Sequence, residues 1–207
     1  MNELEKSIEK TIESSDLQNL SMDLTEVVID SVLEDGLLKD IPIVGTIVGL
    51  SKFGMKLQER ILLSKVFNLL QQLGHTTIEE RQAFLKKVES SETYNKKVGA
   101  ALILILDKLS DLEKPTIIGK LFAAAIKNEI DYQTFLRISN IIENIFLPDL
   151  DYAKKLKQGQ EIDIQIKEEL FRVGLMKRTM FGQIQTDGSN EYYLNDLAHK
   201  LINILEN

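Results

Sequence analysis

The chain has no cysteine among its 207 residues. This excludes disulfides, thiolate metal sites and a cysteine nucleophile, and it suits the reducing cytoplasm in which we expect the protein. The chain also lacks tryptophan, and its two histidines, His75 and His199, lie far apart in the sequence. It contains no Gly-x-Ser-x-Gly nucleophile elbow. The sequence therefore predicts neither an enzyme nor a metal or cofactor site.

Targeting signals are also missing from the sequence. The first ten residues, MNELEKSIEK, are acidic and amphipathic. They do not show a positive segment followed by an apolar one, so we expect no signal peptide. Proline is scarce, with three in the chain, and leucine, isoleucine, lysine and glutamate are abundant. This composition favours helices, and we predict a mainly α-helical protein.

Charge is distributed unevenly along the chain, whose net charge is −7. Residues 1–40 carry three lysines against eleven acidic residues, whereas residues 41–100 carry nine basic against five acidic residues. An acidic arm that precedes a mildly basic region indicates that the two pack together. A nucleic-acid-binding protein usually presents a basic face, which this pattern does not indicate.

Apolar residues at helical spacing predict several helices in the first three quarters of the chain. We expect helices over residues 3–13 and 22–34, a helix starting at Pro42, and one from Lys52 to about Leu73. The sequence TIEE at residues 77–80 is a capping box that begins the next helix. The run Val98–Leu106 is apolar on every side and predicts a buried central helix. Residues 153–162, AKKLKQGQEI, read as a linker.

The segment Leu37–Leu57 has two interpretations. Eleven consecutive uncharged residues separate Asp40 from Lys52, and glycines lie at Gly45, Gly49 and Gly54. A transmembrane helix needs about 20 apolar residues, so we favour a core helix whose glycines allow close packing. The alternative is a membrane segment that inserts only when triggered, because GxxxG spacing also mediates helix packing in membranes. The same residues do not fit a phosphate loop, since three residues rather than four separate Gly45 from Gly49.

The C-terminal sequence ELFRVGLMKRTMFGQIQTDGSNEYYLNDLAHKLINIL resembles the second half of a winged-helix domain. A helix ends at VGL, Asp187-Gly188 marks a hairpin turn, and a final helix follows. The resemblance implies a recognition helix over 162–173 and a wing over 182–190. It also implies that Lys177 and Arg178 contact nucleic acid, although two glutamates on that helix would repel phosphates.

Together these features predict a helical bundle over residues 1–152 and a winged-helix-like α-β-β-α module over residues 160–207. Residues 1–20 form an acidic arm that is either loose or docked. The segments IPIVGTIVGLSK and GLM…YYLNDLAHKL also resemble small bacterial helical proteins of phage-defence and abortive-infection systems.

We therefore expect a non-enzymatic bacterial cytoplasmic interaction protein, in phage defence, that binds a protein partner or itself. Two alternatives stay open. One is a conditionally membrane-active effector that uses residues 37–57 and 98–126. The other is a winged-helix DNA-binding regulator.

Overall fold

The computed structural model describes residues 3–15, 17, 41–50, 56–91, 97–178 and 192–206. Within these ranges the protein is mainly helical and has one small antiparallel sheet, as the composition predicts. The predicted helix over 22–34 lies outside the described residues. The helices are α1 (Glu3–Glu13), α2 (Pro42–Leu50), α3 (Leu57–Gln71), α4 (Ile78–Glu89), α5 (Val98–Lys108), α6 (Lys114–Ile126), α7 (Tyr132–Asn144), α8 (Asp149–Lys157), α9 (Ile164–Arg172) and α10 (Asp196–Glu206). The strands are β1 (Met176–Arg178) and β2 (Tyr192–Leu194).

The chain divides into two compact units, one over residues 1–132 and one over residues 133–207. This differs from the predicted division at residues 152–160, because α8 contacts α9 and α10. In the first unit α3 packs against α6, and α1 packs against α2, α4 and α5. In the second unit α9 contacts β1, and β2 contacts α8.

Helix α4 begins with the capping box that the sequence predicts. The Thr77 hydroxyl accepts a hydrogen bond from the Glu80 backbone N–H at 3.2 Å, and the Glu80 carboxylate accepts one from the Thr77 N–H at 2.8 Å. Each bond satisfies a backbone donor that has no partner within the helix. On the inward face of this helix, Phe84 lies edge-on to Phe122 and Tyr132, and its ring centroid is 5.4 Å from that of Phe122 and 5.8 Å from that of Tyr132. These rings form part of the first unit's core.

Two sequence predictions need correction. The predicted linker over residues 153–162 is helical as far as Lys157, because α8 starts one residue after Pro148, carries Asp149 and Asp151 in its first turn, and ends in lysines. Asp151 and the lysines complement the helix dipole at its two ends. The central helix α5 is also not buried on every side, since about half of Leu104 is exposed to solvent.

Candidate functional site

The predicted packing glycines line an open groove between α1 and α2. Gly45 and Gly49 lie on α2, and Lys6 and Lys10 lie across the groove on α1. A methyl group added at Gly49 would meet no atom within 4 Å. Gly49 therefore faces open space, and Gly54 lies outside the described residues.

Close helix packing also occurs at two other glycines. A Cβ atom at Gly119 on α6 would lie 2.6 Å from the Leu69 carbonyl oxygen of α3, and one at Gly99 on α5 would overlap the Glu5 carbonyl of α1. Real Cβ atoms do not approach backbone oxygens so closely. Only glycine lets these helices come together at their present distance.

Helix α1 is docked rather than loose, since Ile8 and Ile12 are fully buried. Its side chains also cap two apolar helices. The Thr11 hydroxyl accepts a hydrogen bond from the Ile43 N–H at the start of α2, at 3.0 Å. The Glu9 carboxylate accepts one from the Gly99 N–H at the start of α5, at 2.8 Å. A helix N-terminus has unpaired N–H groups and a positive dipole end, so both contacts hold α1 in place.

The C-terminal end of α1 is held by a buried guanidinium. Arg81 of α4 is fully buried and donates to the Ile12 carbonyl at 2.6 Å, the Ser14 carbonyl at 2.8 Å and the Thr76 carbonyl at 2.7 Å. Burial lowers the pKa of the Arg81 guanidinium, and the carboxylates of Glu79 and Glu80 partly offset this. No sequence motif marks Arg81 for this position.

The second unit presents an exposed apolar face on α9. Ile164 is 52% exposed and Phe171 is 42% exposed. They are seven residues apart, which places them two turns apart on one side of the helix, while Leu170 on the other side is fully buried. The Phe171 ring packs edge-on against Tyr192 of β2, with centroids 5.6 Å apart. We call Ile164, Phe171 and Tyr192 the α9 face.

The charged groups on and beside the α9 face carry both signs, since Arg178 pairs with Tyr192 of the face and is exposed. Glu168 is exposed and lies on the same side of the helix as Ile164, one turn further along. Glu169 forms a salt bridge with Arg172 at 2.9 Å. Within the second unit, desolvation raises the pKa of the Asp149 carboxyl on α8, and the charge of Glu169 raises it further. A partner for this surface should therefore be apolar at its centre.

The two predicted nucleic-acid contacts point to opposite sides of the sheet. Lys177 pairs with Tyr193, and Arg178 pairs with Tyr192. Both cations are exposed. Paired residues share one side of a sheet and successive residues alternate between sides, so Lys177 and Arg178 do not form one patch. The predicted wing over 182–190 lies outside the described residues.

Sequence reasoning missed the α9 face. The sequence signal for it was the seven-residue spacing of Ile164 and Phe171, which places both on one side of the helix. That side differs from the side that carries Leu170. His75 and His199 are both exposed. Among the described residues, no group of three or more potential ligands could hold a metal ion. Within the same ranges, we find no helix with the length and apolar character needed to cross a membrane.

Comparison with protein-family models, with curated proteins and with solved structures gives no match.

Proposed function

We propose that this protein is a non-catalytic interaction protein and that its second unit binds a protein partner through the α9 face. The observation that carries this proposal is the exposure of Ile164 and Phe171 on one side of a short helix. Large apolar and aromatic side chains supply most of the binding energy at protein interfaces. Here they stand on a regular element rather than on a loop.

The helix that presents these side chains is fixed within its unit. The Asp163 carboxylate caps α9 by accepting a hydrogen bond from the Gln165 N–H at 2.7 Å. At the other end, the Asn195 amide donates to the Gly174 carbonyl at 2.7 Å, and Leu170 is buried beneath the helix. An interface built on a rigid element loses little conformational entropy when it binds. This supports a preformed binding surface.

A winged-helix DNA-binding regulator is the second candidate. Three consecutive helices, α7 to α9, followed by strands β1 and β2 in one unit give the order that a winged helix would have. The acidic residues on α9 weigh against DNA binding, because phosphates repel them. If the unit binds DNA, affinity should fall steeply with salt and Arg178→Glu should abolish it. Absence of binding even at low salt would eliminate this candidate.

The proposal can be tested by comparing two aspartate variants of the full chain. Phe171→Asp places a charge in the α9 face, and Phe146→Asp places the same charge at a residue of the same unit that is 70% exposed. Each tagged variant and the native chain are purified from the source cells, and the proteins that accompany them are quantified by mass spectrometry. We expect a partner that Phe171→Asp loses and Phe146→Asp keeps. If no protein shows this difference, the α9 face is not a binding surface.

Self-association is an outcome of the same comparison. If the partner is a second copy, the native chain sediments as an oligomer and Phe171→Asp sediments as a monomer. From the resemblance to bacterial phage-defence proteins we propose phage defence as the biological setting. Phage plating on cells with and without the protein tests this. Equal plaque counts would contradict that setting without affecting the α9 face.

A further inference from the structure

A second exposed surface lies in the first unit, where α2 ends and α3 begins. Leu50, the last residue of α2, is 51% exposed, and Leu57, the first residue of α3, is 73% exposed. Ile61 follows Leu57 by one turn and is also exposed. Helices α2 and α3 contact each other. Three aliphatic side chains of these two helices are therefore exposed to solvent.

Leu57 and Ile61 lie on the side of α3 that faces away from the core. The opposite side carries Leu63, Val66 and Leu70, which are fully buried. Leu57 and Ile61 therefore lie outside the buried stripe of α3. Nearly three quarters of the Leu57 surface is exposed to water. Leu57 therefore protrudes from the protein and can insert into a partner that has no preformed pocket.

The charged side chains on this surface include exposed cations. Lys56 precedes Leu57, and Arg60 precedes Ile61; both are exposed. The groove that Leu50 helps to line is also lined by Lys6, Lys10 and the carboxylate of Glu3 on α1. The Glu59 carboxylate accepts a hydrogen bond from the Lys56 backbone N–H at 2.8 Å, so it is held against the start of the helix. We call Lys56, Leu57, Arg60 and Ile61, at the start of α3, the basic leucine patch.

We propose that the basic leucine patch binds the surface of a bilayer that contains anionic phospholipid. Aliphatic side chains flanked by lysine and arginine suit the boundary between headgroups and acyl chains. The long side chain of Lys56 can extend to the phosphates while its stem lies along apolar surface. The protein as a whole is negative, with a net charge of −7, so attraction to an anionic surface depends on this local cluster. It docks on the membrane without crossing it.

The absence of tryptophan from the chain allows a sharp test. Leu57→Trp introduces a single fluorescent reporter in the patch, and Leu104→Trp introduces one at an exposed leucine of α5 as the matched control. Each full-length variant is mixed with vesicles of phosphatidylcholine plus phosphatidylglycerol, or of phosphatidylcholine alone. We expect a blue shift and quenching by brominated lipid for position 57 with the anionic vesicles only.

Flotation of the otherwise native chain measures the strength of the interaction. Lys56→Gln should weaken binding to the anionic vesicles about fivefold, since one cation near such a surface contributes on that order. Leu57→Glu should weaken binding by roughly tenfold or more, because it removes the leucine that would insert into the bilayer and adds a charge that the anionic surface repels. Leu104→Glu should leave it unchanged.

Three results would overturn the proposal. The first is that the native chain does not float with anionic vesicles at low ionic strength. The second is equal binding to phosphatidylcholine alone, and the third is an equal effect of the substitutions at Leu57 and Leu104. Both leucines are exposed, so neither variant should unfold, and circular dichroism checks this.

Discussion

Replacing Arg81 with methionine should strongly destabilise the first unit. The Arg81 guanidinium makes hydrogen bonds to three backbone carbonyls, those of Ile12, Ser14 and Thr76. Methionine fills similar space but donates no hydrogen bond, so these carbonyls lose their donor. Each unpaired buried carbonyl costs about 1–3 kcal/mol.

The removal of a buried charge partly offsets this loss. Burial lowers the pKa of Arg81, which means that the charged form is held there at some cost. The net change should be close to that for breaking a buried charge network, about 3–5 kcal/mol. This is a large share of the stability of an ordinary domain, about 5–15 kcal/mol. Arg81→Lys should lower the free energy of unfolding by less than Arg81→Met does, because lysine keeps a charged donor. It should still destabilise the protein, because an ammonium group cannot reproduce the planar fork of arginine.

Urea denaturation followed by circular dichroism measures the change, and hydrogen exchange over residues 3–13 shows whether α1 is released. Arg60→Met is the matched control, since Arg60 is exposed on α3 and should change stability by no more than about 0.5 kcal/mol. The reasoning is refuted if Arg81→Met lowers the free energy of unfolding by less than about 1 kcal/mol. Unchanged hydrogen exchange in α1 would refute it equally.

The remaining predictions concern two glycines, a lysine and a carboxylate. Gly119→Ala should lower the melting temperature, because its Cβ would meet a backbone oxygen at 2.6 Å, at a cost of about 1–3 kcal/mol. Gly49→Ala should raise it, because the added methyl group meets nothing and alanine favours helix by up to about 1 kcal/mol. Lys65→Met should destabilise the first unit by about 2–4 kcal/mol in urea titrations, because the buried ammonium donates to two carbonyls at the end of α5, at 2.6 and 2.9 Å. Asp149→Asn should stabilise the second unit at neutral pH, and this advantage should vanish as the pH falls towards about 4. A raised folded-state pKa of Asp149 means that the folded protein takes up its proton first, so the penalty is present at higher pH and is lost as the pH falls through that pKa. Melting temperatures measured at both pH values test this.

Local signals in the sequence predicted local structure well. The capping box at Thr77 forms as expected, since the two residues that make it are three apart and need no distant partner. The hairpin strands pair on either side of the predicted turn, from Met176 with Leu194 to Arg178 with Tyr192. Residues 153–157 were misjudged because a short helix rich in lysine lacks an evident apolar stripe.

Features that depend on distant residues could not be predicted. The spacing of Gly45 and Gly49 indicates a surface without side chains, but which helix approaches it is decided by tertiary packing. Gly49 faces open space, whereas close approaches occur at Gly99 and Gly119. Two partners of Arg81 lie far away in the sequence, one on α1 at a separation of 69 residues and one just after α1 at 67. Nothing in the local sequence indicates them.

The candidate sites also depend on tertiary structure that the local sequence does not indicate. Lys177 and Arg178 are adjacent in sequence, yet strand geometry turns them to opposite sides. The α9 face is visible only once Leu170 is known to be buried, because this makes Ile164 and Phe171 outward-facing.

Site-specific photo-crosslinking tests the central claim most directly. A photoreactive phenylalanine analogue replaces Phe171 in one full-length chain and Phe146 in another, so both probes match the residue they replace and both sites are exposed. After irradiation in the source cells, the proposal predicts a discrete crosslinked protein from position 171 that is absent from position 146. No crosslink from position 171, or the same products from both positions, would contradict a binding function for the α9 face.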